Sequence, residues 1–215
     1  MKITFALFIL LVISFLPSEL KARDNKFKAF CQLSRPEKCW VLMHPFVANK
    51  ARKITELVRS EANEIAKGTQ LDGDADGGQV DAFRHSYWMA CLSKVMRPQK
   101  ALRLGRAHEK GNYLAFKKDD HEEGSIPDSM ASVMDIFNNE LGIGLATKYM
   151  EADTDTLRKL VINAIIQGEA KVLLKNSSGE FLDCEGNVLN ISDFKGRWSI
   201  SKCLVNSNSG IHRVK

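Results

Sequence analysis

The chain reads as mainly α: a helical bundle carrying a small C-terminal β-hairpin or meander. Three observations predict this. Apolar residues recur at helical spacing in successive segments between about residues 46 and 167. Gly68, Pro98 and the Pro127-Asp128 pair punctuate those segments where helices would end or begin. After residue 169 the apolar period shortens towards two, as in strands.

The elements follow in order. Asp24 to Trp40, with Pro36, reads as an irregular lead-in. Pro45 can occupy the first turn of a helix, because its missing N–H would have no intrahelical partner there. Val47, Ala51, Ile54, Val58, Ala62 and Ile65 then form one apolar face, and Gly68 ends the helix. An acidic loop spans 72–81. A second helix runs from about Asp81 to Met96 and stops before Pro98, and a third from Pro98 to Tyr113. The charged stretch from Lys117 to Pro127 reads as exposed. Asp128 or Ser129 caps a fourth helix through Met130, Val133, Ile136 and Phe137 towards Gly142, with helical signal continuing to Met150. Thr154 to Gln167 is the last helix. Lys171–Lys175 and Glu180–Cys184, joined by Asn176, Ser177, Ser178 and Gly179, read as a hairpin, and Trp198 to Val205 as a further strand.

Four regions result: a signal peptide at 1–22, a helical domain at 23–168, a β appendage at 169–205, and a polar tail at 206–215. Lys2 followed by the apolar run Ile3 to Leu16 has the layout of an export signal, with Ala22 at the cleavage point. The expected location is therefore periplasmic or extracellular. No later segment is long and apolar enough to span a bilayer. The whole chain has 215 residues and a formal charge of +5; removing 1–22 takes away two lysines and one glutamate and leaves +4. The basic residues are scattered, so there is no strong nucleic-acid signal, and no partner is identified. Five cysteines in an exported chain can oxidise. Proximity suggests Cys31 with Cys39 and Cys184 with Cys203, leaving Cys91 as a buried free thiol.

The chemistry concentrates between residues 72 and 142. Asp72, Asp74 and Asp76 alternate and are followed by Gly77, the first half of a calcium loop; Phe83 stands where the closing glutamate belongs, and Asp81 can close a shorter loop. Calcium is the expected ion on Asp72, Asp74, Asp76 and Asp81, with zinc ranked behind it. The other reading is an Asp/Gly turn whose carboxylates favour a helix N-terminus. On the helix that follows, Asp81–His85 and Arg84–Trp88 are i, i+4 pairs. His108 and Glu109 interrupt an apolar row, and Asp135 lies one turn from Asn138 and Asn139. Burying these groups singly costs several kcal/mol or more, so inward-facing members must meet each other, a metal or a wet pocket. Between helices of a bundle is where such a site is built.

Ala82-Phe83-Arg84-His85 with Trp88, Ala107-His108-Glu109, and Met134-Asp135 with Asn138, Asn139 and Gly142 together resemble a bacterial domain family of unknown function, seen in exported proteins and at the C-terminal ends of large toxin-like polypeptides. Its signature is similar to A-F-R-H-x-x-W, A-H-E and M-D-x-x-N-N-x-x-G, and the match covers about a third of the chain. Relatives often carry a histidine where this chain has Phe137. The resemblance implies a helical domain and a toxin-related or envelope setting, with no established reaction.

Two function classes follow. One is a metal-assisted hydrolase acting outside the cytoplasm: His85 or His108 as base or ligand, Glu109 or Asp135 as acid/base or orienting group, Arg84 holding an anion. H-E-x-x-H is absent, which excludes that metalloprotease motif. The alternative is a non-catalytic envelope or binding module, in which a polar network fixes helix register and calcium clips the loop.

Overall fold

The computed structural model describes residues 27–118 and 127–209. Among the described residues, a helical stretch at 27–32 precedes α1 Arg35–Met43, α2 Pro45–Lys67, α3 Gln79–Ser93, α4 Pro98–Phe116, α5 Ser129–Lys148 and α6 Thr154–Ile166, which lead into a two-stranded sheet of β1 Lys171–Leu173 and β2 Leu204–Asn206. A 3-10 turn, Ile191–Phe194, lies between the strands. The expected signal peptide and the last residues of the polar tail lie outside the described residues, as do residues 119–126 of the charged stretch.

Helix α3 is the axis of the fold. It packs against α2, α4, α5, α6 and β1. Its buried residues include Val80, Phe83, Tyr87, Met89, Cys91 and Leu92, which point in all directions around the helix. A helix that is apolar all round belongs inside a protein rather than on its surface. Cys91 is buried as expected, and burial pushes its thiol up to about 11, which makes it a core residue rather than a nucleophile.

The helix starts are chemically determined. Ser34 and Glu37 form a reciprocal capping box: the Ser34 hydroxyl accepts from the Glu37 amide, and the Glu37 carboxylate accepts from the Ser34 amide at 2.8 Å. That corrects the reading of the lead-in as irregular, since α1 runs through it. It also bears on the cysteine pairing: Cys39 lies on α1, and both Cys31 and Cys39 are free, exposed thiols rather than a disulfide. Asp128 caps α5 by accepting from the amides of Met130 and Ala131, and Asp153 caps α6 through the Thr156 amide.

Helix α5 runs through Gly142 to Lys148, along the helical signal that continues towards Met150. Gly142 is a crossing point: a Cβ there would lie 1.9 Å from the Ser86 carbonyl oxygen of α3. The glycine permits contact between two helices instead of stopping one.

The C-terminal region also departs from the expected hairpin. β1 pairs antiparallel with β2, in the register Lys171↔Asn206, Val172↔Val205 and Leu173↔Leu204. The anticipated partner segment keeps only the bridges Lys175↔Phe181 and Leu182↔Val188. Cys203 is inserted between the two arms: its carbonyl accepts from Leu174 and its amide donates to Leu182. The Cys184–Cys203 disulfide, with Cα atoms 4.8 Å apart, locks that arrangement. The appendage then holds the start of α5. The Trp198 carbonyl accepts from the Ser129 amide, and the buried Lys202 ammonium pairs with Asp128 at 2.6 Å. No described helix is long and apolar enough to cross a membrane.

The α3–α5 crossing gives a paired test. Gly142→Ala should cost about 3 kcal/mol or more in urea unfolding, because the new methyl meets backbone. At Gly144, on the same helix, a methyl would meet no atom within 4 Å. Gly144→Ala should therefore gain up to about 1 kcal/mol from helix propensity. Equal effects at the two positions would refute the crossing.

Candidate metal centre

The acidic loop acts on α3 as a cap. Asp72 accepts from the Gln79 amide at 2.8 Å with one oxygen and from the Asp74 amide at 2.9 Å with the other. Asp74 accepts from the Asp76 amide at 2.9 Å, and its second carboxylate oxygen takes the Lys175 ammonium at 2.7 Å. The Gln79 side chain closes the loop by accepting from the Asp72 amide. Gly77 has φ +83°, a region that favours glycine, and its carbonyl accepts from Leu173 of β1. The Asp72 and Asp74 carboxylates are thus engaged with backbone N–H groups and a lysine, and Lys175 also reaches the Asp76 backbone carbonyl. Asp81 is turned the other way, into the bundle: one oxygen accepts from the Gly77 amide at 2.8 Å, and the other faces His85.

Asp81 and His85 lie one turn apart on α3, and Asp135 projects from α5 across the crossing. His85 Nε2 is 3.5 Å from Asp81 Oδ1 and 3.4 Å from Asp135 Oδ1. Among the described residues, these three form the group whose ligand atoms all lie within 4.8 Å of one another. All three are buried. Asp135 Oδ1, which faces His85 Nε2, has no hydrogen-bond partner, which is rare for a buried polar atom. The spacing suits an ion: donors about 2.1 Å from a tetrahedral centre lie about 3.4 Å from one another. The cluster can hold a metal ion.

Burial dominates its electrostatics. Burial raises Asp135 well above the carboxylate range, and the neighbouring Asp81 and Glu109 charges add to the effect. Burial also raises Asp81, against the pull of Arg84. His85 is held well below its ordinary value by burial, then by the positive charges of Arg84 and His108, with Asn139 pulling the other way. Burial thus favours the neutral imidazole, the form in which histidine ligates metals, while the raised carboxyls would release any proton they hold on binding an ion. Arg84 Nη2 stands 2.5 Å from Asp81 Oδ1 and 3.3 Å from His85 Nε2. Its side chain is 40 % exposed, so the guanidinium neutralises Asp81 from the solvent side.

The other expected residues fall around this centre in distinct roles. His108 lies beside it, ring centroids 6.3 Å from His85, with its Nδ1 3.0 Å from Glu37 Oε1 and the edge of Trp88 against it at 5.9 Å. Trp88 itself is anchored by its indole N–H donating to Thr55. Glu109 points to a neighbouring pocket of polar groups, accepting from Ser132 at 2.9 Å and Asn112 at 3.3 Å; its second oxygen has no partner, and burial raises its carboxyl. Asn138 is structural: its amide donates to the Lys171 carbonyl and accepts from the Lys171 amide, so it acts as an edge partner for β1. Asn139 lies between His85 and Gly105, where a Cβ would come within 2.9 Å of its amide nitrogen.

A cleft of about 810 Å³ opens over His85, Arg84, Trp88 and His108, with residues 29–33, α1 and α2 as its walls. Glu37 is the site residue that reading the sequence passed over. Its signal was the Ser34-x-x-Glu37 capping box, which starts α1 and sets the carboxylate beside His108. Burial works to raise Glu37, but the His108 hydrogen bond and charge, followed by Ser34, bring it down to about 2. Burial likewise opposes the charged form of His108, yet Glu37 and Glu109 raise it above its ordinary value.

Residues 38–169 match the family described as Domain of unknown function (DUF6973), and the chain belongs to that family. The matched span holds Asp81, His85, His108 and Asp135 and ends before β1. Neither the curated proteins nor the solved structures gave a match.

The Glu37–His108 pair makes a pH prediction. Glu37 is depressed, so its contribution to stability is present above about pH 4.5 and is lost as pH falls towards 2. His108 is raised, so its contribution is present below about pH 6.5 and is lost as pH rises through its folded value. The pair should stabilise most between those limits. Glu37→Gln should cost about 1–3 kcal/mol at pH 6 and lower the His108 midpoint in an NMR titration; an unmoved midpoint would exclude the pair.

Proposed function

We propose that this protein is a metal-assisted hydrolase acting in an exported setting. The observation that carries the reading is the buried Asp81–His85–Asp135 cluster, whose His85 also lines the cleft and whose Asp135 Oδ1 has no hydrogen-bond partner. Two carboxylates and one imidazole suit zinc or another first-row divalent ion better than calcium, which prefers an all-oxygen shell. The calcium assignment loses support at Asp72 and Asp74, because Lys175 and backbone amides engage their carboxylate oxygens. The apolar run at residues 3–16 and the Cys184–Cys203 disulfide support export.

The reaction assigned is hydrolysis of an anionic ester or phosphoester. Arg84 binds the anionic group. His108, charged and oriented by Glu37, is the general acid, an arrangement in which a carboxylate holds an imidazole in its working orientation. The water oxygen forms the new bond to phosphorus or acyl carbon, and the bond to the leaving oxygen breaks. His108 gives that oxygen a proton and regains one from the attacking water.

The specific observation favouring a non-catalytic module is Arg84 itself, whose contacts with Asp81 and His85 already supply a cation to the cluster. Calorimetric titration separates the two readings. Zinc should bind one ion per chain and stabilise the fold by about 2.7 kcal/mol when free ion is 100 times Kd. His85→Ala and Asp135→Asn should each abolish that binding, and His108→Ala should keep it while turnover in a phosphoester and ester panel falls about 100-fold or more. Absence of any stabilising divalent ion would leave the binding module as the answer.

A further inference from the structure

We infer that the cleft takes a phosphate-headed amphiphile, with the head at Arg84 and His108 and an alkyl or acyl chain along its apolar wall. The inference rests on the hydrolase reading for the reaction and on the cleft alone for binding.

The cleft has two unlike ends. One wall is apolar and is built by Phe30, Leu33, Trp40, Val41, Val58 and Leu104. The floor carries the cationic side chain of Arg84, ion-paired with Asp81, and His108, with Arg52 on the adjoining wall. The acids there are already engaged: Glu37 holds His108, and Glu56 is ion-paired with Arg52. A guanidinium and an imidazole at one end select an anion with several acceptor oxygens. The apolar wall gives a small inorganic anion nothing to bind.

The rim adds an independent observation. Leu42, Met43 and Phe46, at the α1–α2 corner, are 70 %, 70 % and 95 % exposed. Leu42 also lines the cleft, so the apolar wall is continuous with an apolar lip. Large exposed apolar groups clustered at a pocket mouth mark a contact surface. Here the occupant that matches both ends is an amphiphile leaving a micelle or bilayer. The volume of about 810 Å³ lies in the range of small-molecule sites and suits one chain rather than a protein segment.

The test uses the full chain and three probes below aggregation: dodecyl phosphate, dodecanol and inorganic phosphate. Trp40 and Trp88 line the cleft, so intrinsic fluorescence reports occupancy. Dodecyl phosphate should saturate the signal at a Kd at least tenfold below those of the other two. Arg84→Gln should bring dodecyl phosphate to the level of dodecanol. Ala48→Trp, which fills the wall away from the metal cluster, should weaken dodecyl phosphate at least tenfold and leave zinc affinity unchanged. Phosphate binding as tightly as dodecyl phosphate, dodecanol binding as tightly, or no response to any probe would each overturn the amphiphile assignment while leaving the metal-hydrolase reading open. Tight dodecyl phosphate binding without zinc-dependent release of phosphate would sustain the cleft assignment and overturn the hydrolase reading.

Discussion

A central helix that carries ionisable groups must still satisfy them, and this constraint organises the bundle. Helix α3 brings Asp81 and His85 into the core along with Phe83, Met89 and Leu92. A buried charge without compensation costs several kcal/mol. The fold answers with neighbours on three sides. Gly77 and Arg84 serve Asp81, Asp135 comes across from α5, and His108 with Glu37 closes the solvent side. The approach of α5 depends on Gly142, because any side chain there would collide with the Ser86 carbonyl. Close helix packing and site chemistry are therefore one requirement at this crossing.

The loop before α3 and the appendage after α6 support the same centre from a distance. Asp72 and Asp74 hold the start of α3 through their amide contacts, and Lys175 neutralises Asp74. The Lys202–Asp128 pair and the Trp198 carbonyl hold the start of α5. Each support thus fixes the first turn of a helix that delivers a carboxylate, and the Cys184–Cys203 disulfide restrains the segment supplying the second one. A site assembled from two helices needs both axial positions set to within a fraction of an ångström, and N-terminal anchoring is a direct way to set them.

Much of this was readable from local chemistry. Pro45, Asp128 and Thr154 mark helix starts by rules that act within one turn, and the apolar period identifies the buried faces. The Ser34-x-x-Glu37 box obeyed the same rules but was hidden by Pro36, which is tolerated in a first turn. Gly142 has a role that helical periodicity does not reveal, since it is kept for its missing side chain where α5 crosses α3. The strand pairing was not legible, since a hairpin is the local solution and β2 reaches β1 from across the appendage.

By itself, the sequence determined the helical class, most helix starts, the Cys184–Cys203 proximity and the set of polar residues that have to be reconciled with burial. Helical periodicity and capping are short-range, so one chain suffices to see them. Tertiary structure decided which of those polar residues meet. It joined Asp135 to Asp81 and His85, gave His108 to Glu37, set Glu109 with Ser132, and assigned Asn138 to the backbone of β1. Those choices depend on how the helices cross and on a few ångströms of separation, quantities that no spacing along the chain encodes.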